Sequence, residues 1–173
     1  MAEGDREAFG RLVRELQGPL FGFLGRMGLN QARGEEIAQE TFLRVWQHFS
    51  RYRADRGSLT TWTFTIARNL ALNSLSRAAS QREVPFGDAL PEIACERPLP
   101  GEALAVQQQH HRLRRALLAL PPGDRALLAL IYVQELSHAD VARIEGCSAG
   151  AIKTRAHRAK ARLRQIMEDE DGR

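Results

Sequence analysis

Between Ala151 and Ile166 the chain carries six basic residues, Lys153, Arg155, Arg158, Lys160, Arg162 and Arg164, and no acid; Glu168, Asp169, Glu170 and Asp171 come only afterwards. Cations segregated in this way suit a polyanion. They neutralise phosphates, and the first turns of a helix that bears them can reach base edges in a major groove. Lys153, Thr154, Arg155, His157 and Arg158 stand where such a helix would touch bases or phosphates. A second group lies in the first half, where Arg51, Tyr52, Arg53, Arg56, Ser58, Thr60, Thr61, Trp62, Thr63, Arg68 and Asn69 surround one loop and helix start. Cations hold a nucleic-acid backbone, hydroxyls and amides hydrogen-bond, and aromatics stack on unpaired bases for about 1–3 kcal/mol each. That mixture fits single-stranded or distorted DNA better than intact duplex. A core Trp62 with arginines that merely solvate a loop is the competing reading, and the residues alone leave the two level.

A third group is Glu36, Gln39 and Glu40 with Phe42, Leu43 and Trp46. Carboxylates four residues apart invite an acid–base reading, but no nucleophile, phosphate loop or metal set accompanies them. We therefore expect no enzyme. A partner-binding helix face is favoured over a solvated acidic edge above a buried Phe/Trp core. The adjacent His110 and His111 point to different sides of a helix, and Cys95 lacks ligand spacing to either, so neither metal nor cofactor is expected. Cys147 is read as a small buried side chain.

The elements that must hold these groups read as helical throughout, with no period-two stretch that would mark a strand. Phe9, Leu12, Val13 and Leu16 follow a cap at Asp5. Pro19 suits the first position of a second helix carrying Leu20, Phe23, Leu24 and Met27, which Gly28 would end. Ile37, Phe42, Val45, Trp46 and Phe49 mark a third helix. Ser58 caps a fourth, with Trp62, Ile66, Leu70 and Leu75. Further on, Leu113, Leu117 and Leu120 share a face that Pro121-Pro122-Gly123-Asp124 should end, and Ala126–Val133 forms a short apolar helix. Ser137 and Asp140 have capping-box spacing. Gly146 suits a left-handed stop, and Ser148 caps a last helix whose inward stripe is Ile152, Ala156, Ala159, Leu163 and Ile166. Two capped helices around a Gly146-Cys147-Ser148 turn make a helix-turn-helix from Ser137 to Arg158.

Charge divides the 173 residues into three. Residues 1–82 carry 12 basic and 8 acidic side chains, residues 83–104 one and five, and residues 105–173 again 12 and 8. The middle segment holds four of the seven prolines, Pro85, Pro91, Pro98 and Pro100, and no apolar period, so it reads as a flexible acidic linker. Fully stretched, its 22 residues reach about 75 Å. The expected architecture is all-α, with small helical domains at 1–82 and 105–173. The longest apolar run, Ala126 to Val133, is far too short to span a membrane. Residues 1–15 offer no signal-peptide core, and two cysteines make no disulfide framework, so a cytoplasmic location is expected.

At this point the residues resemble a known family. Gly4-Asp5-Arg6-Glu7-Ala8-Phe9, Ala38 to Trp46 (AQETFLRVW) and Trp62 to Ala71 (WTFTIARNLA) are similar to region two of bacterial extracytoplasmic-function (ECF) sigma factors. Leu120-Pro121-Pro122, Leu136 to Ala142 (LSHADVA) and Ala151 to Arg164 are similar to region four. The resemblance implies an alternative sigma factor that binds core RNA polymerase, directs it to promoters and promotes melting. It implies a region 2 helical bundle at 1–82 and a region 4 helix-turn-helix domain at 105–173. Glu36, Gln39, Glu40, Phe42, Leu43 and Trp46 would dock on the β′ coiled-coil, and apolar helix surface near the helix-turn-helix would meet the β flap. Arg51, Tyr52, Arg53, Arg56, Ser58, Thr61 and Trp62 would capture an unpaired base of the −10 element, which Arg68, Asn69, Asn73 and Arg77 would also read. Ser148, Lys153, Thr154, Arg155, His157, Arg158 and Arg162 would read the −35 element as duplex. A cognate anti-sigma factor, membrane-anchored in some arrangements, would hold both domains. The rival reading is a stand-alone helix-turn-helix regulator, which leaves the first half unused.

Overall fold

Leu12, Leu16, Leu20, Phe23, Leu24 and Met27 recur at three- and four-residue spacing, and each is buried. In the computed structural model, which describes residues 3–80 and 104–171, they form the inner face of one unbroken helix, α1 (Glu3–Arg26). The stop expected at Pro19 does not occur. A proline inside a helix removes one donor and costs about 3 kcal/mol. Four fully buried side chains follow it, Leu20, Phe23, Leu24 and Met27, each worth about 1.5–3 kcal/mol. Continuity of that apolar ridge outweighs the lost bond. Asp5 consequently lies inside the first turns and not ahead of them.

Asn30 opens α2 (Gln31–Gln47) by accepting a hydrogen bond from Arg33 N at 2.9 Å. Two 3-10 turns, Phe49–Arg51 and Ala54–Arg56, lead into α3 (Leu59–Ser80). Beyond residues 81–103, α4 (Leu104–Ala119) is followed by α5 (Pro122–Tyr132), α6 (His138–Glu145) and α7 (Ala149–Asp171). Pro122 does not merely end α4. It is the first residue of α5, where its missing N–H is no loss. No strand occurs among the described residues, and the architecture is all-α as expected. The linker reading falls mostly on residues 81–103, outside the described residues.

The two halves are not separate bodies joined only by chain. Leu20, Phe23, Leu24 and Met27 of α1 and Phe64, Ala67 and Ala71 of α3 share one apolar cluster with Ala126, Leu127 and Leu130 of α5. Val141 and Ile144 of α6 and Ile152 and Ala156 of α7 complete it. Phe23 meets Phe64 edge-on, with ring centroids 5.5 Å apart. Arg125, buried in α5, donates to Met27 O at the end of α1 (2.6 Å) and to Leu118 O and Leu120 O (3.1 and 3.0 Å). One guanidinium thus satisfies helix-end carbonyls from both halves. Burial pushes its pKa down from the ordinary arginine value. Smaller clusters lie beyond the shared core: Leu12, Leu16 and Val45 in the first half, and Leu120, Leu128 and Ala159 in the second.

Candidate nucleic-acid interface

The loop before α3 is built around Tyr52. Its ring lies stacked between Phe49 and Trp62, at centroid distances of 6.5 and 5.8 Å, and its hydroxyl donates to Gly57 O at 3.0 Å. Gly57 takes φ 142°, which side-chain-bearing residues rarely adopt. Ser58 then caps α3 as its sequence position predicts, accepting from Thr61 N at 3.1 Å. These constraints leave an open cavity of about 630 Å³, walled by Arg51, Tyr52, Ser58, Trp62, Thr65 and Asn69 among others. Trp62 lies between the core and the cavity. One side packs on the Leu12–Val45 cluster and the other lines the cavity.

Around the cavity, Arg44 pairs with Glu40 (2.6 Å) and Arg53 with Asp55 (3.6 Å), while Arg51 is exposed. Thr61 is buried within the wall. The Arg56 side chain lies outside the described residues. Further along α3, Asn69, Asn73 and Arg77 are exposed. Arg68 is not: its side chain is 14% exposed and donates through Nε and Nη2 to the two carboxylate oxygens of Glu145, at 2.7 and 2.6 Å.

The helix-turn-helix forms as its caps predict. Ser137 accepts from Asp140 N (3.1 Å), Gly146 sits at φ 67°, and Ser148 accepts from Ala151 N (3.2 Å). Ile152, Ala156 and Ala159 are buried, which turns Lys153, Thr154, His157 and Arg158 outward as one exposed row. Arg155 turns the other way and donates to Glu145 at 2.9 Å. That hydrogen bond, ahead of the opposing desolvation, raises its pKa. Arg162 pairs with Asp124 across to α5. Cys147 is exposed, not buried: it follows the left-handed Gly146 in the turn between α6 and α7. No group of metal-ligating side chains occurs among the described residues.

On α2 the six candidate docking residues divide. Glu36, Gln39 and Leu43 are exposed, Leu43 at 48%. Glu40 is half-buried in its pair with Arg44. Phe42 and Trp46 face inward, with Trp46 against Phe9 at 4.8 Å between centroids. Sequence reasoning missed Glu145, which faces Arg68 and Arg155, the contact of the capping residue Asp140 with Thr61, and Arg143, which joins the cavity wall from α6. Glu145 is 77 residues from Arg68, and no local spacing announces such a pair.

One all-α chain thus carries an aromatic-walled polar cleft and a capped helix-turn-helix. Residues 12–81 match Sigma-70 region 2 and residues 110–163 match Sigma-70, region 4. Over 166 residues the chain is 34% identical to the ECF RNA polymerase sigma factor RpoE of Cereibacter sphaeroides, covering 94% of this chain and 88% of that one. Over 174 residues it is 28% identical to the ECF RNA polymerase sigma factor SigW of Bacillus subtilis, covering 96% and 92%. The sigma factor RpoE from Bartonella quintana, solved in complex with the anti-sigma factor NepR, has the same fold. Its TM-score is 0.73 over 94% of this chain and 98% of that one, at 24% identity.

The chain belongs to the ECF sigma factors of RNA polymerase. It is an alternative sigma factor, an initiation factor and not an enzyme. A stand-alone helix-turn-helix regulator would leave the match over residues 12–81 without a role. No helix among the described residues is long and apolar enough to cross a membrane.

Proposed function

We propose that the cavity beside Trp62 captures an unpaired base of the −10 element while the row Lys153, Thr154, His157 and Arg158 reads the −35 element in duplex form. The observation that carries this is the contrast between a concave, aromatic-walled site and a convex, uncovered helix face within one chain. Stacking and hydrogen bonding at Tyr52, Ser58 and Trp62 suit a flipped base. Asn69, Asn73 and Arg77 extend the same surface along α3, and Arg51, Arg53 and Arg56 supply cations for the strand's backbone. Ser148 and Arg162 frame the α7 surface at its start and beyond its exposed row. Arg68 and Arg155 join their respective surfaces once released from Glu145.

Core polymerase docks, in this reading, on the exposed edge of α2 formed by Glu36, Gln39 and Leu43, with Glu40 at its margin. Phe42 and Trp46 shape that edge from beneath. Melting needs the polymerase. Separating duplex costs about 1.4 kcal/mol per base step, and several steps must open, whereas each captured base returns about 1–3 kcal/mol. The partners proposed are therefore core RNA polymerase, promoter DNA and an anti-sigma factor. The last is supported by the anti-sigma complex in which a relative of the same fold was solved.

Run-off transcription from a promoter library tests the reading. Core enzyme with this chain should start at defined positions, and core enzyme alone should not. Identical products with and without the chain would overturn it.

A further inference from the structure

Glu145 sits at the end of α6 with its side chain 3% exposed, and every hydrogen-bond partner of its carboxylate described above is a cation assigned to DNA. Arg68 of α3 takes both oxygens in a fork, and Arg155 of α7 shares Oε2. A carboxylate that receives a guanidinium fork offers the geometry a phosphate would offer. Glu145 therefore occupies, inside the protein, the chemistry that DNA would supply from outside.

The distances make the two states exclusive. Nitrogens of Arg68 and Arg155 lie 2.6 and 2.9 Å from the same oxygen. The promoter elements these residues are assigned to read are separate stretches of one DNA, so the two arginines must part to engage both. One carboxylate cannot hold both readers while each is on its element. A second contact from α6 reinforces the closure. Asp140 accepts from Thr61 Oγ1 at the cleft (3.4 Å) and pairs with Arg143 (3.0 Å). Arg143 itself lines the cavity, and a methyl group placed on Gly57 would stand 3.6 Å from its Cδ. α6 thus lies along the wall where a base would enter. Gln134 Nε2, donating to Pro19 O at 3.1 Å, fastens the turn between α5 and α6 to α1.

We propose that Glu145 is an interdomain latch: by neutralising Arg68 and Arg155 together it holds the free sigma factor closed and keeps these two arginines from DNA, and initiation requires that latch to open. The proposal rests on the assignment of Arg68 and Arg155 to DNA. The apolar cluster beneath also joins the halves. The latch makes the closed state conditional on charge, because α6 cannot leave α3 without exposing or re-pairing these groups. Its consequence is that polymerase, promoter phosphates or any other anion must compete with a built-in carboxylate.

The test uses the full chain with Glu145→Gln, which keeps the shape and removes the charge. Small-angle scattering should show a larger radius of gyration than for the unmodified chain. Affinity for a short random-sequence duplex, read by fluorescence anisotropy at fixed salt, should rise roughly tenfold, within the usual range of coupling between a closed and an open state. A folded variant that remains as compact as the parent would overturn the latch. So would opening with no gain in duplex affinity. Should Glu145→Gln fail to fold by circular dichroism, Arg68→Gln read by scattering alone decides: expansion supports the latch and an unchanged radius overturns it. Run-off transcription separates the two claims. A chain that opens on Glu145→Gln yet never confers promoter starts retains the latch and loses the proposed promoter reading.

Discussion

The cleft beside α3 and the exposed row on α7 carry similar inventories of cations and hydroxyls, yet they are built from opposite materials. In the cleft, Tyr52 is fixed between two rings, Gly57 bends the backbone at φ 142°, and Thr61 is buried in the wall. On α7, Lys153, Thr154, His157 and Arg158 project from a regular helix opened by the Ser148 cap and backed by a buried stripe. A concavity with preset aromatics suits a base removed from its stack. A convex helix suits a groove that already exists. If the two surfaces bind DNA as proposed, the difference places specificity for single strand and duplex in shape, since composition hardly distinguishes the two.

Four changes would break or sharpen this comparison. The largest concerns what both surfaces stand on. Phe23→Ala removes a fully buried ring from the core that unites the halves and should cost about 3–5 kcal/mol. Urea unfolding should remain a single transition by both fluorescence and circular dichroism, whereas two separated transitions would mean that the surfaces rest on independent domains. Next, Tyr52→Ala should weaken capture of single-stranded −10 DNA by polymerase bearing this chain by about 1–3 kcal/mol. Duplex −35 binding should be unchanged in the same filter-binding assay. Ser148→Ala strips the α7 cap and should lower stability by about 1 kcal/mol in a thermal melt. It should leave the cleft's stacking signal intact. The smallest is Lys153→Ala, which should flatten the salt dependence of duplex affinity by about 0.9 log units per tenfold change in salt. Single-strand capture should not respond to it.

Much of the helix-turn-helix could be read directly from spacing, because Ser137, Gly146 and Ser148 act on residues three or four positions away. The same holds for Ser58 and Thr61. Where the outcome depends on distant packing, local rules failed. Pro19 looked like a boundary, but the ridge from Leu12 to Met27 carried α1 through it. For Phe42 and Trp46 the residue types allowed both a docking face and a buried core, and only the third dimension set Phe42 on the core and Trp46 against Phe9. Charge segregation exposed the α7 cations as a group but could not say that Arg155 and Arg162 would turn back to Glu145 and Asp124. The cleft itself was visible as a cluster of types. Its depth came from stacking of Tyr52 on residues before and after it in sequence.

Permanganate reactivity of promoter thymines tests the central claim most directly. With core polymerase and this chain together, thymines of the −10 element should become reactive while those of the −35 element stay protected or paired. Reactivity at −10 with the purified chain alone, or none with the two together on a promoter it transcribes, would contradict the account.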